Sequence, residues 1–283
     1  MAQLSFAAFH FLVTFLTLFF LSRQWLPGGA LFTPRRIPFL SILPISVAMA
    51  LNVILPNLSL AFSTVTFYQI ARILLTPTVA ALNFFLYGAT LPRRAVLTLI
   101  PTSLGVAAVS YYDSQPPPNS TDLDVPKRTI QMTQPLGILF ALLGTFASSL
   151  YTVWIGAYHR RYQLSSMQLL YNQAPVAFAI LLYVIPFIDV LPTWDDLRQA
   201  TEHDEKNWHE LGGLISLSGL FAALINISQF FIVANAGAVS STMVGHVKTC
   251  LIVILGWIVS GRGLVGGGKC LMGVVTALGG IIA

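Results

Sequence analysis

Two cations stand well inside apolar stretches of this chain. Arg72 closes Thr66-Phe-Tyr-Gln-Ile-Ala-Arg72, and Lys248 lies in Thr242-Met-Val-Gly-His-Val-Lys248-Thr249. On a helix Tyr68 and Arg72 share one face at i, i+4. Gly245, Lys248, Thr249 and Ile252 form a second face, on which the glycine lets a ligand or another backbone approach closely. Both charges lie roughly 12–15 Å into their segments at the 1.5 Å rise of a helix, too deep to snorkel easily to a headgroup. A structural ion pair fails as well, because residues 1–112, 125–188 and 211–283 contain no Asp or Glu. The counter-ion is then expected to be a ligand. Phosphate or diphosphate fits: Arg offers a planar bidentate fork and Lys a point charge. Carriers coupled to protons or sodium keep an acid in the membrane. With none here, exchange of one anion for another is the simpler scheme, since the bound anion cancels the cations that an empty carrier leaves unpaired.

Further polar groups interrupt apolar runs. Tyr171-Asn172-Gln173 precedes Pro175, and its donors and acceptors suit a ribose or base. Tyr151 and Asn226 stand alone in apolar stretches, where such residues also serve as contacts between helices. Prolines 44, 56, 77, 101, 175 and 186 predict bent helices. Cys250 and Cys270 provide neither a disulfide framework nor a zinc site. No span carries a His-Asp dyad or a metal-ligand cluster, and His203 and His209 fall in an acidic stretch. No catalytic residue, metal or cofactor is therefore assigned, and the chain is not read as an enzyme.

The elements that must position these residues follow from composition. Of the 283 residues 9% are charged and 55% hydrophobic, against about 25% charged in soluble domains. Mean hydropathy is +0.76. A soluble enzyme, a nucleic-acid binder and a disordered protein are excluded. Continuous apolar runs also exclude an outer-membrane barrel, whose strands alternate. The fold class is an all-α polytopic membrane protein, a single domain over 1–283 whose partner is the lipid bilayer. Spans of about 20 residues are predicted at 4–22, 39–61, 64–87, 94–112, 135–158, 165–188, 211–234, 238–260 and 265–283, a bundle of about nine helices. All ten acids fall in two loops, at 113–134 and 189–210. Arg23, Arg35, Arg36, Arg93, Arg94, Arg160 and Arg161 occupy alternate loops, which makes that side cytosolic and the acidic loops luminal. The Asn119-Ser-Thr sequon, a glycosylation candidate, agrees with that orientation.

Thr66–Arg72 and Thr242–Lys248 superpose at an offset of 176 residues, and Leu104-Gly105 matches Leu278-Gly279 at 174. Pseudo-repeats over approximately 1–113 and 135–283 would make the two buried cations equivalent. Halves with an odd number of spans insert in opposite orientations, with the site at the midplane between them.

A set of segments carries a family resemblance: Phe9-His-Phe-Leu-Val-Thr-Phe, Asn57-Leu-Ser-Leu, Phe67-Tyr-Gln-x-x-Arg72, Leu99-Ile-Pro-x-x-Leu-Gly-Val106, Ser110-Tyr-Tyr-Asp113, Ser165-Ser-Met-Gln-Leu-Leu-Tyr-x-Gln-Ala-Pro175 and Gly245-His-x-Lys-Thr249. In this order they resemble the nucleotide-sugar and triose-phosphate translocators of the drug/metabolite transporter superfamily. The likeness is strongest to the E subgroup of solute carrier family 35 and to plant UDP-sugar carriers of the Lys-Thr group. It implies ten helices as two inverted five-helix repeats and a Golgi or endoplasmic-reticulum membrane. It also implies exchange of a cytosolic nucleotide sugar for luminal nucleoside monophosphate. Lys248 and Thr249 match the Lys-Thr motif, with Lys248 on phosphate, and Arg72 stands where these relatives usually have Lys. Tyr171-Asn172-Gln173 resembles the Tyr-Asn-Asn element of GDP-mannose carriers. Their Gly-Ala-Leu-Asn-Lys signature is absent, which favours a UDP-sugar. The expected substrate-binding set is Tyr68, Gln69, Arg72, Tyr151, Tyr171, Asn172, Gln173, Asn226, His246, Lys248 and Thr249. The relatives have one further helix before the segment that begins at Met1, and the chain stops at Ala283 inside the last helix, so the family's first helix is expected to be missing. A sugar-phosphate or phosphoenolpyruvate carrier remains an alternative, as does a non-transporting scaffold or degenerate paralogue. A homodimer is left open.

Overall fold

The computed structural model describes residues 3–23, 29–63, 65–90, 134–189 and 207–259, with isolated helical positions between 97 and 108 and between 272 and 279. Every regular element among them is an α-helix: α1 Gln3–Leu21, α2 Phe39–Phe62, α3 Val65–Ile73, α4 Leu75–Tyr87, α5 Pro135–Tyr162, α6 Ser166–Ile188, α7 Asn207–Ala236 and α8 Ala238–Val259. In hydrocarbon a backbone must satisfy its own polar groups, which a helix does within one segment. By length and composition α1, α2, α5, α6 and the Gly212–Ala236 part of α7 can cross a membrane. Each is apolar on the faces it leaves exposed, as Phe6, Leu16 and Phe20 show on α1. A helix that is apolar all round belongs in lipid or in a core. The chain is an all-α polytopic membrane protein.

The expected span at 64–87 is not one helix. It breaks at Leu74, whose N–H turns back to Ala71 O at 3.1 Å. The cause is Pro77. It has no N–H to offer Ile73 O, and its ring opposes that carbonyl. In the first turn of a new helix the same proline is harmless, because the N–H groups there lack helical partners anyway. By contrast α6 runs unbroken through Pro175 and Pro186, and α2 through Pro44 and Pro56. At the junction of α7 and α8, Gly237 takes φ +88°, a left-handed turn that glycine adopts without strain. The expected spans at 94–112 and 265–283 lie largely outside the described residues. So do Asn119 and both acidic loops, apart from Gln134, Asp189 and the start of α7.

The chain divides into two compact units. One comprises Met1–Val53 and Trp154–Asn235, the other Ile54–Val153 and Ala236–Ala283. Each takes segments from both expected pseudo-repeats. In the first unit α1 lies along α6. Its buried stripe is Leu4, Ala8, Phe11, Thr14 and Leu18, at the i, i+3/i+4 spacing of one helical face. Gly219 lets α7 close on α1, since a Cβ there would stand 2.9 Å from Val13 Cγ2. The end carrying the α1 terminus, the 29–38 segment and the α5 terminus gathers Arg23, Arg35, Arg36, Arg160 and Arg161. It is tied by Leu31 N–H to Leu21 O at 3.0 Å and by Tyr158 OH to Ser41 O at 2.9 Å.

In the second unit Val79, Val153 and Ala238 form a buried cluster against which Leu75, Leu82 and Val239 pack. Val79 shares this cluster with Ala238, while Thr76 meets His246, so α4 and α8 run antiparallel. The end of α2 meets the start of α5 at Gly137, whose added Cβ would lie 2.5 Å from Phe62 O. Ser59 Oγ donates to Gly137 O at 3.1 Å across the same contact.

Candidate anion site and its supports

The antiparallel pairing of α4 and α8 places the two cations toward the same end of the pair. Arg72 sits one turn before Thr76, on the far side of the break, and Lys248 lies two residues beyond His246. Both therefore leave the helix pair at the same end. Arg72 lies within electrostatic range of both His246 and Lys248. The two cationic side chains are exposed, so an approaching anion would meet them without displacing packed protein. Arg72 stacks its guanidinium over Tyr68, 5.9 Å from the ring centroid, as the i, i+4 spacing predicts. A guanidinium on an aromatic face keeps its edge free for a bidentate contact.

His246 is buried at 7% exposure, and its Nε2 lies 2.8 Å from the hydroxyl of fully buried Thr76. The break itself is stitched to α5. Thr145 Oγ1 reaches Ala71 O at 3.5 Å and Ser149 Oγ reaches Leu75 O at 3.4 Å. Each hydroxyl also bonds the carbonyl four residues back in its own helix, at 2.8 and 2.7 Å. Thr76, Thr145 and Ser149 were not singled out by the sequence. The signal for Thr76 was present in Thr76-Pro77, a hydroxyl beside a helix-breaking residue. Thr145 and Ser149 give none, because threonine and serine are common in membrane helices. The side chains of Gln69 and Thr249 lie outside the described residues. Tyr151 is buried on α5, in the same unit as the cations.

The Tyr171-Asn172-Gln173 element and Asn226 belong to the other unit. Tyr171 packs its ring against Phe15 and Phe32, with centroids 5.6 and 6.1 Å away. Asn172 is engaged on both sides of its amide. Nδ2 donates to Arg35 O at 2.8 Å and to Gln168 O at 2.7 Å, and Oδ1 accepts Ile37 N–H at 3.1 Å. Together with Gln168 Nε2 donating to Thr33 O at 2.8 Å, it straps the 33–37 segment to the start of α6. That start is itself fixed by a capping box between Ser165 and Gln168. Gln173 is fully buried. Asn226 Nδ2 donates to Thr14 Oγ1 at 3.1 Å, and one turn earlier on α1 His10 Nε2 meets Ser218 Oγ at 3.1 Å. These contacts form a polar seam between α7 and α1, the role that such residues commonly have between membrane helices.

Comparison with known proteins bears on the family. No family model matches the chain. UDP-xylose transporter 2 of Arabidopsis thaliana is 26% identical over 251 residues, covering 89% of this chain and 64% of the relative. UDP-rhamnose/UDP-galactose transporter 2 of the same plant is 25% identical over 225 residues, 80% of this chain and 58% of the relative. Nucleotide-sugar uncharacterized transporter 2, also from Arabidopsis thaliana, is 26% identical over 277 residues, 96% of this chain and 61% of the relative. The chain thus spans less than two thirds of the length of these relatives. A protein of known crystal structure matches 99% of this chain and 88% of its own, with a TM-score of 0.68 at 13% identity, which shows a shared fold. Over most of its length the chain is similar to nucleotide-sugar transporters of Arabidopsis thaliana.

Proposed function

We propose that the protein is an antiporter of the Golgi or endoplasmic-reticulum membrane, exchanging a cytosolic nucleotide sugar for luminal nucleoside monophosphate. The observation that carries this reading is the pair Arg72 and Lys248, exposed at one end of the α4–α8 pair in a chain whose spans hold no carboxylate. Two like charges so placed repel until an anion lies between them. An empty carrier would then have to rearrange with that repulsion unrelieved, whereas a loaded one would not. Obligatory exchange follows from this difference. Arg72 and Lys248 would hold phosphate, with Tyr68 orienting the arginine. Base or ribose contacts would come from expected residues of the same unit, Tyr151 among them. The relatives are named for UDP-xylose, UDP-rhamnose and UDP-galactose, which supports a uridine nucleotide over GDP-mannose.

Proteoliposomes preloaded with UMP should take up external labelled UDP-sugar, and empty vesicles should not. Equal uptake by empty and loaded vesicles would refute obligatory exchange. A response to triose phosphate or phosphoenolpyruvate with none to nucleotides would move the substrate to sugar phosphates. The proposed orientation makes Asn119 luminal. A glycosidase-sensitive mass shift lost in Asn119→Gln supports it, and labelling of the 113–134 or 189–210 loop from the cytosolic side of sealed vesicles refutes it.

A further inference from the structure

We infer that His246 is a positioning residue: its hydrogen bond to Thr76 latches α8 to the α3–α4 break and thereby holds Arg72 and Lys248 together as one anion site. This deepens the phosphate-binding role proposed for the two cations and rests on it.

Three observations lead here. First, the chain between Arg72 and Thr76 is not continuous helix. It turns at Leu74 through a short-range bond to Ala71 O, and Pro77 leaves Ile73 O without its usual helical donor. Nor does any side chain cap the start of α4. A broken helix transmits position poorly, so α3 needs another restraint if Arg72 is to keep its place. Second, the restraint at the break is polar. Thr145 and Ser149 of α5 reach the carbonyls of Ala71 and Leu75 at long range, 3.5 and 3.4 Å. The short contact is Thr76 to His246, at 2.8 Å between two buried residues. Third, helix geometry converts this contact into the orientation of Lys248. Residues two apart on a helix point about 200° apart. Fixing His246 inward against α4 therefore turns Lys248 outward, where it is exposed. The Val79–Val153–Ala238 cluster pins α8 about two turns earlier, and the latch is the next restraint along the same pair before the cations. Without it, two like charges with no acid between them would drive α3 and α8 apart.

The test uses Thr76→Val, which removes the hydroxyl at nearly constant volume, with Thr76→Ser, His246→Ala and the double variant of Thr76→Val and His246→Ala. UMP affinity is read by thermal protection of the full chain and by exchange kinetics in proteoliposomes. Thr76→Val and His246→Ala should each raise the UMP Kd and KM about tenfold with kcat largely kept, roughly the strength of one buried hydrogen bond. Thr76→Ser should restore wild-type affinity, and the double variant should be no worse than the poorer single one. A Thr76→Val protein that binds UMP like wild type overturns the inference, as does a double variant whose loss is the product of the two single losses. Failure of the underlying reading looks different: wild-type protein, or Lys248→Ala protein compared with it, shows no change with UMP. In that case deuterium exchange of backbone amides around 71–76 and 244–248 still decides on the latch. Faster exchange in Thr76→Val supports it, and unchanged exchange overturns it.

Discussion

Asp189 caps a helix at the other end of the sequence. It follows the last residue of α6, and its carboxylate accepts the Ser5 N–H and the Ser5 hydroxyl, both at 2.8 Å, with Leu4 N–H at 3.4 Å. The first N–H groups of α1 have no helical partner and carry the positive end of its dipole, so a carboxylate there satisfies both needs. Asp189→Ala should destabilise the protein by about 1–2 kcal/mol, the usual size of a lost cap. Asp189→Asn should retain part of this, because one amide oxygen still accepts. Thermal unfolding in detergent measures the effect, and an unchanged midpoint in Asp189→Ala would refute the cap.

Composition and apolar run length made the fold class and most helices legible, because lipid leaves a chain few other solutions. Asp189 was less legible. The sequence grouped it with the acids of the loops expected to be luminal, and nothing local distinguishes it from Asp195 or Asp196. Its role depends on α6 ending beside the start of α1, a tertiary fact. The break at Leu74 was half legible: Pro77 marked a bend, as did five other prolines. Only its place in the first turn of a new helix separates it from Pro175, which α6 absorbs. The cations were legible as a pair from their isolation in apolar sequence. That antiparallel α4 and α8 carry both toward the same end was not.

Asn172 tests a different boundary between structure and ligand binding. Its amide already holds Arg35 O, Gln168 O and Ile37 N–H. Asn172→Ala should therefore loosen the 29–38 segment, with faster proteolysis there and a loss of about 1–2 kcal/mol from the unmade backbone bonds. Affinity per folded molecule should change little. A large rise in KM with normal stability and normal proteolysis would place Asn172 on the nucleotide instead.

Gly137 marks where α2 and α5 touch most closely. A methyl group there would meet backbone, Phe62 O at 2.5 Å and Phe62 C at 2.7 Å, and backbone cannot step aside as a side-chain tip can. Gly137→Ala should cost about 1–3 kcal/mol, the range for overpacking, and should lower the folded yield. Gly144→Ala meets Pro56 at 3.2 Å and should be milder. Gly212→Ala has nothing within 4 Å and serves as the neutral control. Fluorescence-detected size exclusion of the three variants ranks them, and a Gly137→Ala protein as stable as Gly212→Ala would contradict the close contact.

The decisive variants are at Arg72 and Lys248. If both hold phosphate, Ala at either position removes charge-assisted bonds worth about 1.5–3 kcal/mol each, or about 10–150-fold in affinity. Folding should survive, because the spans offer these cations no carboxylate whose own charge would be left unpaired. Relieving the repulsion between Arg72 and Lys248 could only help the empty protein. Arg72→Lys should keep part of the activity, since the charge remains while the bidentate fork is lost. Glu at either position should be worse than Ala, because it repels the substrate. A purely structural role predicts the opposite pattern: Ala variants would fail to accumulate, and whatever folded would exchange at the normal rate. Uptake per folded molecule in proteoliposomes separates the two, and normal exchange by Lys248→Ala would end the anion-site reading.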